Sequence, residues 1–218
     1  MRIHIKVSSY QKVIPFNHQP LLTGVIHKWL GKNNEHGEVS LYSFSQLIGG
    51  KVTPKGFSFD QGSSFFFSAH DKNLIIKMIS GIRALPKMFN GLEVTDILIQ
   101  EDPDFKEKTL FHAASPIFLK RRDGEKVNHI LFDDPRANEY LKETLETKMR
   151  NAGLQDETLS IGFDRTYPHA KTKKITYNGI HNRANWCPVA IEGKPETKLF
   201  AWNVGLGNST GIGFGAIK

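Results

Sequence analysis

The sequence predicts an α+β fold made of two similar halves, and three observations carry that prediction. Strand-like and helix-like patterns succeed one another as strand, helix, several strands, helix, strand, an order that sets helices on one side of an antiparallel sheet. The composition changes at Glu101-Asp102-Pro103-Asp104, an acidic stretch with a proline, which divides the chain into residues 1–104 and 105–218. Past that boundary a comparable order starts again. No sequence repeat joins the halves, so their likeness rests on element order alone.

Arg2 to Val7 alternates polar and apolar residues with a β-branched bias, the period of a half-buried strand. Leu21, Leu22, Val25, Ile26, Trp29 and Leu30 recur at three- and four-residue steps. They predict a helix that Pro20 can open and that Gly31 with Asn33-Asn34 stops, with His27 and Lys28 on or beside its polar face. Strands are expected over 39–47, around Phe57-Ser58-Phe59 and around Phe65-Phe66-Phe67. Leu74, Ile75, Met78, Ile79, Ile82 and Leu85 make a second helix closed by Pro86, and 94–99 a further strand. In the second half 110–120 is strand-like, and Ile117-Phe118-Leu119 and 127–132 flank Asp123-Gly124, a pair favoured in two-residue hairpin turns. Asp134 can cap a helix with Pro135 in its first turn, a stripe of Tyr140, Leu141, Leu145 and Met149, and Gly153 at its end. Glu146 and Arg150 stand at i,i+4 on that helix. Strands at 159–163, 175–177 and 186–191 and a short helix over 196–203 complete the order.

Composition narrows the function classes. With 218 residues and 39% hydrophobic content the chain can bury a sizeable core, which argues against disorder. No run approaches the ~18 to 20 apolar residues that a membrane span needs, and the alternating first residues do not read as a signal peptide, so no membrane contact and a cytoplasmic location are expected. Cys187 is the single cysteine, which excludes an internal disulfide and a two-thiolate zinc site. Among the nine histidines no pair has i,i+4 spacing and none matches His-Glu-x-x-His, so no metal and no cofactor are predicted. Lys and Arg number 29 against 22 Asp and Glu, and the net charge of +7 favours a polyanionic partner.

From Gly205 to Lys218 the chain is dense in glycine: Gly205, Gly207, Gly211, Gly213 and Gly215. Glycine permits positive φ and lets a ligand approach main-chain N–H groups, so this stretch could cradle phosphate or simply turn the chain before a last strand. A Walker loop is absent, and a dinucleotide fingerprint would need a helix and an acidic residue after the glycines, where only three residues follow.

A C-terminal Gly-x-Gly, a short polar spacer and Gly-Phe-Gly resembles the glycine-rich loop of the CRISPR-associated endoribonucleases that process precursor CRISPR RNA. These form the sixth numbered Cas family within the repeat-associated mysterious protein superfamily. Pro15-Phe16-Asn17-His18 leading into Leu22-Thr23-Gly24-Val25-Ile26-His27 resembles that family's entry to its first helix, and Ser115-Pro116-Ile117 resembles its Ser-Pro-Ile element. The resemblance spans nearly the whole chain. It implies two tandem ferredoxin-like (RNA-recognition-motif-like) domains with a C-terminal glycine-rich loop. It also implies metal-independent cleavage of precursor crRNA, in which a 2′-hydroxyl attacks its own phosphate and leaves 2′,3′-cyclic phosphate and 5′-hydroxyl ends. Such a reaction needs a base, an acid and positive charge at the phosphorane.

The resemblance also points to residues. The family's catalytic histidine lies just after the first helix, where Asn33-Asn34-Glu35-His36-Gly37-Glu38 offers His36. His27 is the second candidate; it stands where some members carry a tyrosine that assists catalysis, which leaves the division of acid and base roles open. Lys51, after Gly49-Gly50, is the first choice for the charge-stabilising lysine, with Lys28, Lys32 and Lys55 as rivals. Lys55-Gly56-Phe57-Ser58-Phe59 begins like an RNA-recognition strand and breaks at Asp60, so it reads as an ordinary half-buried strand. For RNA binding the sequence offers Lys28, then Lys120-Arg121-Arg122 at the hairpin, then Arg165, Lys171, Lys173 and Lys174 in a loop-rich stretch, and the five glycines. Whether the glycines hold RNA or pack the two halves together is left open. The partner expected is CRISPR repeat RNA, with effector-complex subunits or a second copy of the chain as further candidates. The alternative to an enzyme is a non-catalytic RNA-binding subunit of a CRISPR ribonucleoprotein.

Overall fold

The structure, a computed structural model, describes residues 1–31 and 39–218, so His36 and Lys32 lie outside the described residues. Alternation in the first strand, β1 (Arg2–Val7), buries Ile3, Ile5 and Val7 on one face. A short strand, β2 (Tyr10–Ile14), leads into helix α1 (Gln19–Leu30). Pro20 occupies its first turn, and the Gly31 N–H closes the last turn on the His27 carbonyl, as the sequence predicts. Leu22, Ile26, Trp29 and Leu30 form the buried face. Next come β3 (Tyr42–Phe44), β4 (Lys51–Thr53), β5 (Gly56–Phe59) and β6 (Ser63–Ala69), then α2 (Lys72–Ala84) and β7 (Val94–Gln100). The Asp71 carboxylate starts α2 by accepting the Asn73 N–H at 2.8 Å.

The main sheet of this half runs β3-β6-β1-β7, every pair antiparallel, with α1 and α2 packed against each other. Strands β2, β5 and β4 form a separate small sheet. The strand expected over 39–47 contracts to β3, because beyond Phe44 the Phe66 N–H turns to the Ser45 hydroxyl at 3.0 Å.

The second half contains β8 (Leu110–Phe111), β9 (Lys120–Asp123), β10 (Lys126–His129), α3 (Ala137–Asn151), β11 (Ser160–Phe163), β12 (Lys171–Tyr177), β13 (Ile180–Trp186), β14 (Val189–Glu192) and α4 (Pro195–Val204). Its sheet runs β11-β14-β8, and Ala113, just past β8, bridges to Ile217. If that bridge counts as a reduced last strand, the order of principal strands repeats the first half: second, third, first, fourth.

Local differences from the sequence reading have identifiable causes. Asp123 pairs with Lys126, so the two-residue turn is Gly124-Glu125, one residue later than expected. Ile117, Phe118 and Leu119 are not hairpin arms; all three are buried, and Ile117 bridges to Asn185. Helix α3 starts at Ala137, so Pro135 stands before the helix, in a turn where the Asp134 carboxylate accepts the Arg136 N–H at 2.8 Å. Glu146 reaches Lys142 at 3.8 Å, while Arg150 donates to Thr147. The strand expected over 186–191 is two strands broken at Cys187-Pro188, where proline removes a ladder donor. Lys171, Lys173 and Lys174 stand on a hairpin rather than in a loop, and its Asn178-Gly179 turn is the strong signal that the sequence reading passed over.

Two apolar clusters form the cores. One gathers Ile3, Ile5, Leu22, Phe65, Phe67 and Met78, the other Phe111, Leu141, Leu145, Val189, Phe200 and Ile217. Each fully buried side chain of this size contributes about 1.5–3 kcal/mol. Arg2 ties the halves together: its guanidinium lies between the Phe66 and Trp202 rings and donates to the Trp202 and Ile217 carbonyls at 2.7 and 2.9 Å. No helix among the described residues is long and apolar enough to cross a membrane.

Candidate active site and nucleic-acid interface

The glycine-rich segment runs between the two halves and is pinned by both. On the side of the first half, Ile212 O accepts from Gln19 Nε2 at 2.8 Å and Thr23 Oγ1 at 3.2 Å, and Thr210 Oγ1 donates to Ser40 O at 3.3 Å. On the side of the second, the Gly215 N–H donates to Pro116 O at 2.9 Å, the Ala216 N–H to Ser115 Oγ at 2.9 Å and the Asn208 N–H to Phe118 O at 2.7 Å. Net contributions of roughly 0.5–1.5 kcal/mol per bond make this a rigid seam. Gly205, Gly207, Gly211, Gly213 and Gly215 are all buried in it, and protein atoms occupy the space where each Cβ would stand. At Gly215 (φ 72°) the obstacle is the main-chain carbonyl of Leu206, which cannot step aside.

His27 meets this seam. Its Nε2 donates to the Gly211 carbonyl at 2.9 Å, and the Tyr42 hydroxyl lies 3.2 Å from the same nitrogen while donating to the same carbonyl at 3.3 Å. The imidazole is therefore half-buried against protein rather than presented on a polar helix face. To accept a proton at Nε2 it must give up the Gly211 bond. Tyr42, Gln19 and Thr23 were not legible as site residues, because they occupy ordinary core positions of a strand and a helix. Lys28, Lys51 and Lys55 are exposed, and Lys51 lies on β4 of the small sheet. No hydrogen bond among the described residues links Lys51 to His27.

Beside the seam opens a cleft of about 350 Å³, lined by Val39, Ser40, Lys120, Arg121, Lys148 and the 207–210 stretch among others. Lys148 projects from α3 and is 4% exposed. Its Nζ donates to Gly205 O at 3.0 Å, Thr210 Oγ1 at 3.3 Å and Val204 O at 3.4 Å, closing the end of α4. Burial pushes its pKa down to about 7. The sequence did carry a signal here: Lys148 follows Leu141, Thr144 and Leu145 on the buried stripe of α3, a core position for a charged residue.

The remaining basic candidates divide into engaged and exposed. Arg121 pairs with Glu143 and stacks on Tyr140, and Arg165 donates to Phe132 O and Asp134 O at 2.9 and 2.8 Å, so both brace the fold. Lys120, Arg122, Lys171 and Lys174 are exposed, and Lys173 Nζ lies 3.8 Å from the centre of the Trp186 ring. Cys187 is buried, and desolvation raises its thiol to about 11, which makes it a poor nucleophile. Among the described residues no three His, Cys, Asp or Glu side chains converge as a metal site would require.

Comparisons with known proteins bear on the family and the fold. The family model described as CRISPR associated protein Cas6, C-terminal, matches residues 99–218, more than half of the chain. A Pyrococcus furiosus relative named as a CRISPR-associated endoribonuclease-like protein Cas6 is 24% identical over 240 residues, covering 100% of this chain and 98% of its own. The solved structure of a Cas6-related gene product from Pyrococcus furiosus superposes with a TM-score of 0.86 at 24% identity, covering 100% and 97%. A protein described as a RAMP protein binding different RNA substrates gives 0.86 at 20%, covering 100% and 98%. At these identities the structural likenesses establish the fold.

Proposed function

The chain belongs to the family of CRISPR-associated protein Cas6, and from that premise we propose that it binds CRISPR repeat RNA and cuts precursor crRNA without a metal ion. In this reading the ribose 2′-oxygen bonds to the adjacent phosphorus as the bond to the 5′-oxygen breaks. One group takes the hydroxyl proton and another delivers a proton to the departing oxygen. The observation that carries the reading is a convergence: the three strings that resemble the family, the α1 segment with His27, Ser115-Pro116-Ile117 and the terminal glycines, meet at one seam. Val39, where the described chain resumes three residues after His36, lines the cleft beside that seam. His36 serves as the first acid–base candidate and His27 as the second, with Lys51, Lys28, Lys32 or Lys55 steadying the phosphorane. Residues 1–104 and 105–218 are read as tandem ferredoxin-like domains, supported by their matching strand orders and separate cores.

The test is cleavage of repeat RNA in EDTA, repeated with a 2′-deoxy nucleotide upstream of the cut. Activity should survive the chelator and vanish with the deoxy substitution; dependence on magnesium, or cleavage of the deoxy substrate, overturns the mechanism. His36→Ala should keep RNA binding and lose ~10² to 10⁴ in rate. One observation favours a second reading, a non-catalytic RNA-binding subunit: His27 Nε2 is already committed to Gly211 O. Stoichiometric binding with no product would establish that reading.

A further inference from the structure

Lys148 is a buried cation whose partners are all uncharged. Its three acceptors are two main-chain carbonyls and a hydroxyl. No ion pair involves it among the described residues. Among the described residues Glu143 is the one carboxylate lining the cleft, and it is engaged by Arg121. Glu146, also on α3, faces Lys142. The end of α4 offers carbonyls, and the glycine-rich segment carries no ionisable side chain from Gly205 to Ile217. β9 contributes only cations to the cleft, the exposed Lys120 and Arg121. An ammonium taken out of water and met by dipoles alone is held at a cost, and that cost appears as its lowered pKa. Closing the end of α4 needs only donors; it does not explain why this lysine also lines the cleft that the exposed Lys120 lines.

We infer that the Lys148 cleft is a phosphate subsite, in which a phosphodiester of the bound RNA strand supplies the counter-ion that the described residues do not. The inference rests on the RNA-binding reading above and adds a location and a physical consequence. Lys120, Asn208 and Ser209 line the same cleft and bring further donor groups to it. Because an arriving anion favours the charged amine, RNA binding takes up a proton above neutral pH.

The wild-type chain tests this without depending on a variant that folds. Its affinity for a repeat-sequence oligoribonucleotide is measured from pH 7 to 9 at fixed ionic strength, a window above the ordinary titration of histidine. Calorimetry in two buffers of different ionisation enthalpy gives the protons taken up. Affinity should fall as pH rises, by up to about tenfold per unit for one linked proton, and Lys148→Met should remove the slope. RNA binding with no slope and no proton uptake overturns the subsite and leaves the RNA reading intact, as does a slope that persists in Lys148→Met. If no RNA binds at any pH, the RNA reading itself falls and the subsite with it. Inorganic phosphate is the second probe: if it binds with the proton linkage while RNA binds without it, the cleft serves a free anion and the inference is wrong.

Discussion

The glycine-rich segment is buried along nearly its whole length and carries no ionisable side chain before Lys218, whereas the β12–β13 hairpin presents Lys171 and Lys174 to solvent and lays Lys173 on Trp186. The first region has its main chain committed to protein partners on both sides, and the missing side chains let two halves close on it. Charge is what the second offers. The contrast shows that a glycine-dense stretch can act by placing its neighbours: it holds Gly211 O against His27 and Tyr42, and Thr210 against Lys148. Affinity for a polyanion then has to come from elsewhere.

The largest effect expected from this contrast is at Gly215. An alanine there meets both a φ of 72° and the Leu206 carbonyl, so Gly215→Ala should destabilise the chain by more than about 3 kcal/mol, since backbone rather than a movable side chain is in the way. Thermal denaturation checks it. A near-wild-type melting temperature would mean that the seam has room, and the segment would again be available to RNA. Next in size is the hairpin. Replacing Lys171, Lys173 and Lys174 together by Gln should weaken RNA binding and flatten its salt dependence by up to about 2 in log–log slope, at ~0.7 per lost contact to a single strand. The melting temperature should hardly move. An unchanged salt slope would remove the hairpin from the interface.

Much of this contrast was readable in advance, and the rest was hidden for definable reasons. Periodicity located α1, α2, α3 and β1, helped by stops such as Gly31 and Pro86, while β6 and β7 were read from short strand-like runs. Basic candidates could be named from charge alone, but charge does not distinguish Lys174, which is exposed, from Arg165, whose guanidinium is used on two carbonyls of its own chain. The glycines could be named too, yet their role depends on what stands 169 to 193 positions earlier, Gln19, Thr23, His27 and Tyr42, and no local pattern carries that distance. Lys148 was hidden in plain sight on an apolar stripe.

Lys148 also distinguishes the regions by pH. Its folded pKa lies below the unfolded value of 10.5, so between about 7 and 10.5 the unfolded chain holds more protons and stability from this group rises with pH. Wild-type stability relative to Lys148→Met should climb by at most about 1.4 kcal/mol per pH unit from pH 7 upward, read from urea titrations at pH 7, 8 and 9. A difference that stays constant with pH would mean that the amine is neither buried nor perturbed in solution. Wild-type stability relative to the hairpin variant should show a much smaller dependence, since the three lysines it replaces are exposed or half-buried.

The smallest effect isolates backbone conformation from crowding. Gly179 has φ 78°, within a few degrees of Gly215, but nothing lies within 4 Å of the place its Cβ would take. It follows Asn178 in the turn between β12 and β13, where both residues have positive φ. Gly179→Ala therefore bears only the left-handed penalty of about 1–2 kcal/mol, reduced by the ~0.4–1 kcal/mol gained when the unfolded chain loses glycine's freedom. A net loss near 1 kcal/mol, against several at Gly215 for the same substitution at almost the same φ, assigns the difference to the way the glycine-rich segment folds back on itself, Gly215 against Leu206. Equal losses at the two sites would mean that φ alone demands glycine, and that the segment does not fold back on itself as tightly as the Leu206 contact requires.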